Sequence, residues 1–462
     1  MEHESDIPLK TVYIAAAFCA AVATLYTLAE IEPSPVVVLF VAFAPLLTVI
    51  MWLQRDARRA RFSLVHDWGM FMSFAWPVLL PWYAFKTRGS RGWLLVIKLV
   101  ALVCAPWLAS YAAAMLRHGV QKGATFASAV VDSEFVFESA PFTNAHASTI
   151  VETREGLVTA WFAGTREGAA DVGIWLSRHL TGKWTRPIEV ATGRQPDGGR
   201  YPCWNPVLFE APDKVLMLFY KVGPSPESWW GMVRTSRDSG RTWTDARRLP
   251  DGILGPIKNK LVQLSDGTLV APSSTESSER PSTWRVHFER TTDAGLTWTA
   301  AFPSASADGS PIDAIQPSIL VHPGGRLQAL GRTRSERVFE TWSDDGGRTW
   351  TPISLISLPN PNSGIDAVTL RNGRHLIVYN HTTQGRSPLN VSVSGDGRTW
   401  DAALVLENES GEYSYPAVIQ SSDGHVHITY TWKRQRIRHV VIDPTRLKSV
   451  PMPDGNWPRE LR

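Results

Sequence analysis

The sequence predicts an all-β, six-bladed β-propeller preceded by an α-helical transmembrane region. Three observations predict it: a hairpin motif repeated at near-constant spacing, six apolar segments in phase with it, and long apolar runs confined to the N-terminal end.

The motif is clearest at Ser343-Asp344-Asp345-Gly346-Gly347-Arg348-Thr349-Trp350. Asp345 is a side-chain acceptor for the N–H groups of a tight turn. Gly347 supplies the positive φ that such a hairpin needs. Thr349 and Trp350 open the next strand, and Trp350 is a large apolar plug. The pattern Ser/Thr-x-Asp-x-Gly-x-Thr-Trp recurs at residues 236–243 and 291–298, shortened at 394–400 and worn down at 177–184. Its tryptophans (Trp184, Trp243, Trp298, Trp350 and Trp400) lie 59, 55, 52 and 50 residues apart. A period of roughly 40–60 residues made of short strands is one propeller blade per repeat.

The first strands of six blades read at residues 146–152, 205–209, 259–264, 316–320, 365–370 and 415–419. The sixth blade carries no motif. Residues 135–142 are expected to supply the strand that closes the ring, because a closed propeller must hide its last edge. The expected domains are a membrane region at 1–118, a linker at 119–134, the propeller at 135–450 and a tail at 451–462.

These motifs are similar to the Asp boxes (BNR repeats) of the sialidase-like propellers, and residues 135–445 resemble that family. The resemblance implies a six-bladed glycosidase scaffold. It gives the box a structural place on the rim of each blade and no part in the chemistry.

Ahead of the propeller, residues 11–31 and 36–53 are apolar and long enough to span a bilayer. Residues 68–85 form an aromatic run broken by Pro77 and Pro81, and residues 93–115 form a fourth run with one charge, Lys98. The first run lacks a basic leader and further spans follow, which argues against a cleaved signal peptide. Arg55, Arg58, Arg59 and Arg61 follow the second run, and Lys86, Arg88 and Arg91 follow the third. Both clusters belong in the cytoplasm. They stay together only if the third run is re-entrant or interfacial, which leaves three spans and an extracytoplasmic propeller. Four full spans would turn the propeller to the cytoplasm.

A net charge of +4 is too slight to point to nucleic acid. Three cysteines, Cys19, Cys104 and Cys203, make no disulfide framework. No metal-ligand spacing stands out and no cofactor is expected.

The innermost strands of a propeller line its channel, so their first residues converge on one mouth. Here these are His146, Asn205, Asn259, Gln316, Asp366 and Tyr415. The second strands return to the same mouth, with Arg166, Lys221, Arg332, Arg334, Lys433 and Arg434 at or near their ends. Convergent polar groups on a rigid scaffold form a binding site, and guanidinium groups suit a carboxylate. The expected partner is an acidic glycan, with Arg166, Asn205, Lys258, Asn259, Gln316, Arg332, Arg334 and Asp366 as its contacts.

The resemblance implies roles. Asp171, in a loop after Arg166, resembles the family's acid/base aspartate. The family's nucleophilic tyrosine matches Tyr413 by the serine that follows it, and Tyr415 by register with the other blades. In the family three arginines hold the sialic-acid carboxylate. Two departures touch the chemistry: His146-Ala147-Ser148 stands where the family has Arg-Ile-Pro, and Lys258-Asn259-Lys260 where its tyrosine-activating glutamate is expected. Three readings follow: a membrane-tethered sialidase-like hydrolase, a uronate-directed glycosidase or lyase with His146 as acid/base, or a non-catalytic glycan-binding propeller.

Overall fold

A computed structural model describes residues 8–29, 33–62, 68–123, 129–304 and 310–461. The chain divides into two compact units, Met1–Thr125 and Phe126–Arg462.

The second unit is a six-bladed propeller. Its blades are antiparallel sheets whose first strands are Asn144–Thr153, Cys203–Glu210, Val262–Gln263, Ala314–Val321, Asp366–Thr369 and Tyr413–Gln420. The three full boxes and the shortened one share one geometry, seen at Asp345. Its Oδ1 accepts the Arg348 and Thr349 N–H groups, both at 2.9 Å, and its Oδ2 accepts the Thr349 hydroxyl at 2.7 Å. Ser343 Oγ donates to Asp345 and accepts the N–H of Gly347, which sits at φ 79°. Asp238, Asp293 and Asp396 repeat these bonds. The box tryptophan packs on the preceding blade. Trp350 stacks on Phe288 at 3.6 Å, and Trp298 meets Phe219 edge-on at 6.3 Å. A box is therefore both a turn lock and an interblade wedge.

The ring closes differently from the sequence expectation. The outermost strand of the sixth blade is Val130–Phe135, paired with Arg436–Ile442. Residues 136–142 instead cross to the first blade, where Phe137 stacks on Trp161 at 5.1 Å. The linker expected at 119–134 is shorter for the same reason: α-helix continues to Gly123 and strand begins at Val130, while residues 124–128 lie outside the described residues. The expected tail also belongs to the propeller. Val450–Pro451 adds to the fifth blade, and Met452, Trp457 and Leu461 are buried against it.

The first unit holds four helices: α1 (Leu9–Ala29), α2 (Pro35–Arg59), α3 (Trp68–Arg88) and α4 (Gly92–Gly123). Three stretches are long and apolar enough to cross a membrane: Leu9–Ala29, Pro35–Arg59 and Ala75–Ala113. The Glu30–Glu32 break between the first two lies outside the described residues. α3 is kinked at Ala75, where φ is −111° and ψ 17°, just ahead of Pro77. Its C-terminal end lies beside the C-terminal end of α2. Tyr83 donates to Asp56 Oδ2 at 2.7 Å, and Arg88 Nη2 reaches both Asp56 oxygens at 2.7 Å. Val12, Leu53, Ala57, Leu80, Ala84 and Val96 are buried together at this end. At the other end Thr27 of α1 bonds Ser110 of α4 at 2.6 Å. A helix crossing fully antiparallel to α2 would bring its start, not its end, to Asp56.

Candidate functional site

The mouth of the channel is built by a repeated irregularity. In four blades the first strand slips against the second, between His146 and Thr149, Trp204 and Val207, Ile315 and Ser318, and Ser414 and Ala417. Each slip holds one non-glycine residue at positive φ: Ala147 at 55°, Asn205 at 37°, Gln316 at 56° and Tyr415 at 52°. A bulge leaves a residue out of the ladder and re-aims its side chain. Pro206, Pro317 and Pro416 follow three of these residues, where a missing N–H loses no ladder bond. Asn205, Gln316 and Tyr415 are therefore equivalent positions, and His146 stands one residue ahead of Ala147.

These positions bring part of the expected set together. The His146 and Tyr415 rings lie 4.2 Å apart, tilted by 50°. Gln316 Nε2 is 3.4 Å from the Tyr415 hydroxyl. The Arg332 guanidinium lies between two rings, 5.5 Å from Tyr415 and 5.3 Å from Trp284, and reaches the Asn362 carbonyl at 3.4 Å. Among the described residues, Arg332 Nε and Gln316 Oε1 are buried here without a hydrogen-bond partner. Burial and four surrounding cations (Arg434, Arg386, Arg332 and Lys258) push the His146 imidazole well below its ordinary range, so it is neutral.

One of these cations, Arg386, was not singled out in the sequence, and Arg434 was named only as a strand-end cation. Arg386 comes from the loop after the second strand of the fifth blade and bonds Ser363 Oγ at 3.0 Å. Arg434 pairs with Glu412 at 2.6 Å and with Glu167. Glu276 ends the second strand of the third blade, and burial, partly offset by Arg332, pushes its carboxyl up. An Asn-Pro, Gln-Pro, Tyr-Pro series at the strand starts was the available signal for the bulges.

Other expected residues go elsewhere. Tyr413 is buried in the core between the fifth and sixth blades, and its hydroxyl has no hydrogen-bond partner among the described residues. Lys258 donates to Asn259 Oδ1 at 2.9 Å, to the Ile365 carbonyl at 3.1 Å and to the Pro416 carbonyl, and burial lowers its pKa to about 7. Asn259 donates to the Gln316 and Pro317 carbonyls at 3.1 and 3.0 Å. Lys260 sits on both oxygens of Asp366 at 2.9 Å, and Asp366 also accepts from Ser318 and the Val418 N–H. These four residues tie the blades together around the axis. Arg334 lies past the end of its strand, paired with Asp313 at 3.1 Å. Asp171 and Arg166 sit in an exposed loop, where Asp171 accepts the Thr165 N–H and hydroxyl, both at 2.9 Å. The residue against the tyrosine hydroxyl is thus Gln316, whereas the sequence looked for its partner among residues 258–260.

Residues 155–428 match the model of the BNR repeat-like domain. The chain belongs to that family. Over 266 residues this family member is 24% identical to an anhydrosialidase of Macrobdella decora, covering 49% of this chain and 33% of that protein. It therefore spans about a third of the length of that relative. Among solved structures it is similar to a protein of unknown function from Dyadobacter fermentans (TM-score 0.57, 18% identity, 68% of this chain and 98% of that one). It is also similar to a Hadza microbial sialidase (0.55, 18%, 66% of each) and to the intramolecular trans-sialidase of Ruminococcus gnavus (0.54, 13%, 70% and 99%). At these identities the structural likeness establishes the fold.

Proposed function

We propose that this BNR-family propeller is a membrane-anchored, sialidase-like glycoside hydrolase for carboxylate-bearing glycans. The observation that carries the reading is a pair of buried atoms beside Tyr415, Arg332 Nε and Gln316 Oε1, with no hydrogen-bond partner among the described residues. Buried polar atoms without partners mark a place completed by a polar ligand. A carboxylate satisfies Arg332 and Arg386, and a sugar hydroxyl satisfies Gln316. Tyr415 attacks the anomeric carbon as the glycosidic bond breaks, its phenolic proton passing to solvent, and water then releases the sugar. Asp171 gives a proton to the leaving oxygen once its exposed loop moves off the Thr165 contacts toward the substrate. Glu276, with its raised carboxyl, is a second acid near the same mouth.

One observation favours a second reading, an acidic-glycan-binding propeller without turnover. The partner of the Tyr415 hydroxyl is an amide, which cannot take its proton. Incubating the detergent-purified chain with aryl sialosides and uronate polysaccharides separates the readings. Sialic acid release that disappears in Tyr415→Phe supports the first. Unsaturated product from uronate chains alone replaces it with a lyase. Binding with no release supports the second.

We infer also that the propeller is extracytoplasmic. Lys10 at the start of α1, Arg55, Arg58 and Arg59 at the end of α2, and Lys86, Arg88 and Arg91 around the α3–α4 turn all belong to the end of the helices marked by Asp56. Basic ends stay in the cytoplasm, and α4 then carries the chain across.

A further inference from the structure

We propose that His146 is a specificity-determining residue of this pocket, held in one tautomer so that its Nε2–H is the hydrogen-bond donor to an oxygen of the bound acidic sugar. The inference rests on the acidic-glycan reading above. It concerns the histidine alone and applies equally to a hydrolase or a binding propeller.

The tautomer follows from one buried hydroxyl. Thr431 is fully buried, and its Oγ1 accepts the Ala147 N–H at 3.2 Å. Among the described residues the one remaining partner of that hydroxyl is His146 Nδ1, at 2.9 Å. The threonine's hydrogen has no other acceptor, so it is donated to Nδ1. The ring's own proton then stands on Nε2. The ring's one hydrogen bond among the described residues is at Nδ1, so the Nε2–H donor is available to a ligand.

The surroundings decide what that ligand is. Tyr415 lies against the ring on one side and Phe162 edge-on at 5.4 Å on another, and neither bonds Nε2. The charged groups facing the ring are Arg332, Arg386, Arg434 and Lys258. The carboxylates nearby, Glu412 and Glu167, are held by Arg434. A neutral N–H donor inside a ring of cations recognises an anionic oxygen and has nothing to offer a cation. The tautomer also removes the general-base role: the ring's lone pair is on Nδ1, already bonded to Thr431. Burial is the larger cause of the ring's neutrality and the four cations the lesser. A bound carboxylate offsets the cations' share, so binding draws a second proton onto Nδ1 as the Thr431 hydroxyl turns to accept it.

The test is calorimetric binding of N-acetylneuraminate and of D-glucuronate to the full chain in detergent, with their methyl esters and galactose as uncharged controls. For wild type, affinity for at least one acid should rise about tenfold between about pH 7.5 and about pH 5.5, with proton uptake seen as a buffer-dependent heat. His146→Gln keeps an N–H donor but cannot be protonated. It should bind within about threefold of wild type at neutral pH and lose the pH dependence. His146→Ala should bind at least about tenfold more weakly throughout, with the melting temperature of the Gln variant as the folding control. A pH-independent wild type, or a Gln variant with the wild-type slope, overturns the inference and leaves the acidic-glycan reading intact. Failure of both acids to bind at any pH, or binding of the uncharged controls as tightly, overturns that reading and this inference with it.

Discussion

The amide of Gln316 faces the hydroxyl of Tyr415 across the channel mouth at 3.4 Å. The two residues come from the fourth and sixth blades, and both occupy the positive-φ position of the bulge in their first strands. Because an amide cannot accept the tyrosine's proton, the pair defines the first prediction. Gln316→Glu should raise turnover of an aryl sialoside by roughly ten- to a hundredfold, a fraction of what a well-placed general base supplies. Steady-state kinetics on the detergent-purified chain checks it, and an unchanged or lower rate argues against Tyr415 as the nucleophile.

The two tyrosines of the 413–415 segment should separate cleanly. Tyr415→Phe should remove any sialoside release. Tyr413→Phe should leave activity within about twofold and stability within about 1 kcal/mol, because the hydroxyl it removes is buried with no hydrogen-bond partner among the described residues. Parallel kinetics and melting curves decide this, and a reversed pattern would exchange the two roles.

The Asp boxes set an acid limit on the fold. Partial burial pushes the Asp345 carboxyl up, but hydrogen bonds from Thr349, Ser343 and the Arg348 N–H outweigh this and hold it at about 2, against an ordinary 3.8. The folded value is the lower one, so its stabilisation is complete above about pH 4 and is lost as pH falls toward about 2. Asp345→Ala should cost roughly 1–2 kcal/mol at neutral pH and flatten the loss of stability below about pH 4. Denaturant midpoints at several pH values measure both effects.

The ion pair at the axis should be asymmetric. Asp366 is almost fully buried, with Lys260, Ser318 and the Val418 N–H on its oxygens, whereas Lys260 retains 21% of its side-chain exposure. Lys260→Met leaves a buried carboxylate short of its cation and should cost about 3–5 kcal/mol. The double variant Lys260→Met, Asp366→Leu should recover part of that loss, as read from denaturant midpoints.

Sidedness can be read from one exposed position. Cys203 is fully buried, and burial pushes its thiol up, so it does not report on solvent access. Asp251 is 96% exposed in a turn of the second blade. Asp251→Cys should react with a membrane-impermeant maleimide in intact cells, after removal of the outer envelope where there is one. Labelling that needs lysis would put the propeller in the cytoplasm.

The scaffold was legible because four blades repeat the same turn chemistry, and the box writes that chemistry into seven or eight consecutive residues. The site was less so. Arg332 and Arg334 sit two apart, yet the strand Leu327–Thr333 ends between them, so one enters the mouth and the other pairs with Asp313. Tyr413 and Tyr415 are also two apart and would share a strand face, but the bulge that follows Ser414 sends them to different surroundings. Arg386 belongs to a loop, where no periodicity points anywhere. Periodicity locates strands; it does not report the bulges and strand ends that aim individual side chains.

The clasp of the ring joins residues 305 positions apart, Ser133 and Arg438. Its early half, Val130–Phe135, follows α4 directly, and its late half, Arg436–Ile442, comes only after strands of each of the first five blades. A nascent chain would hold Val130–Phe135 unpaired until Arg436–Ile442 is made, a long wait with an exposed edge. The finished ring inherits a consequence: its seam is held by the strand that follows α4 in sequence, so loss of Val130–Phe135 would leave Arg436–Ile442 as an open edge.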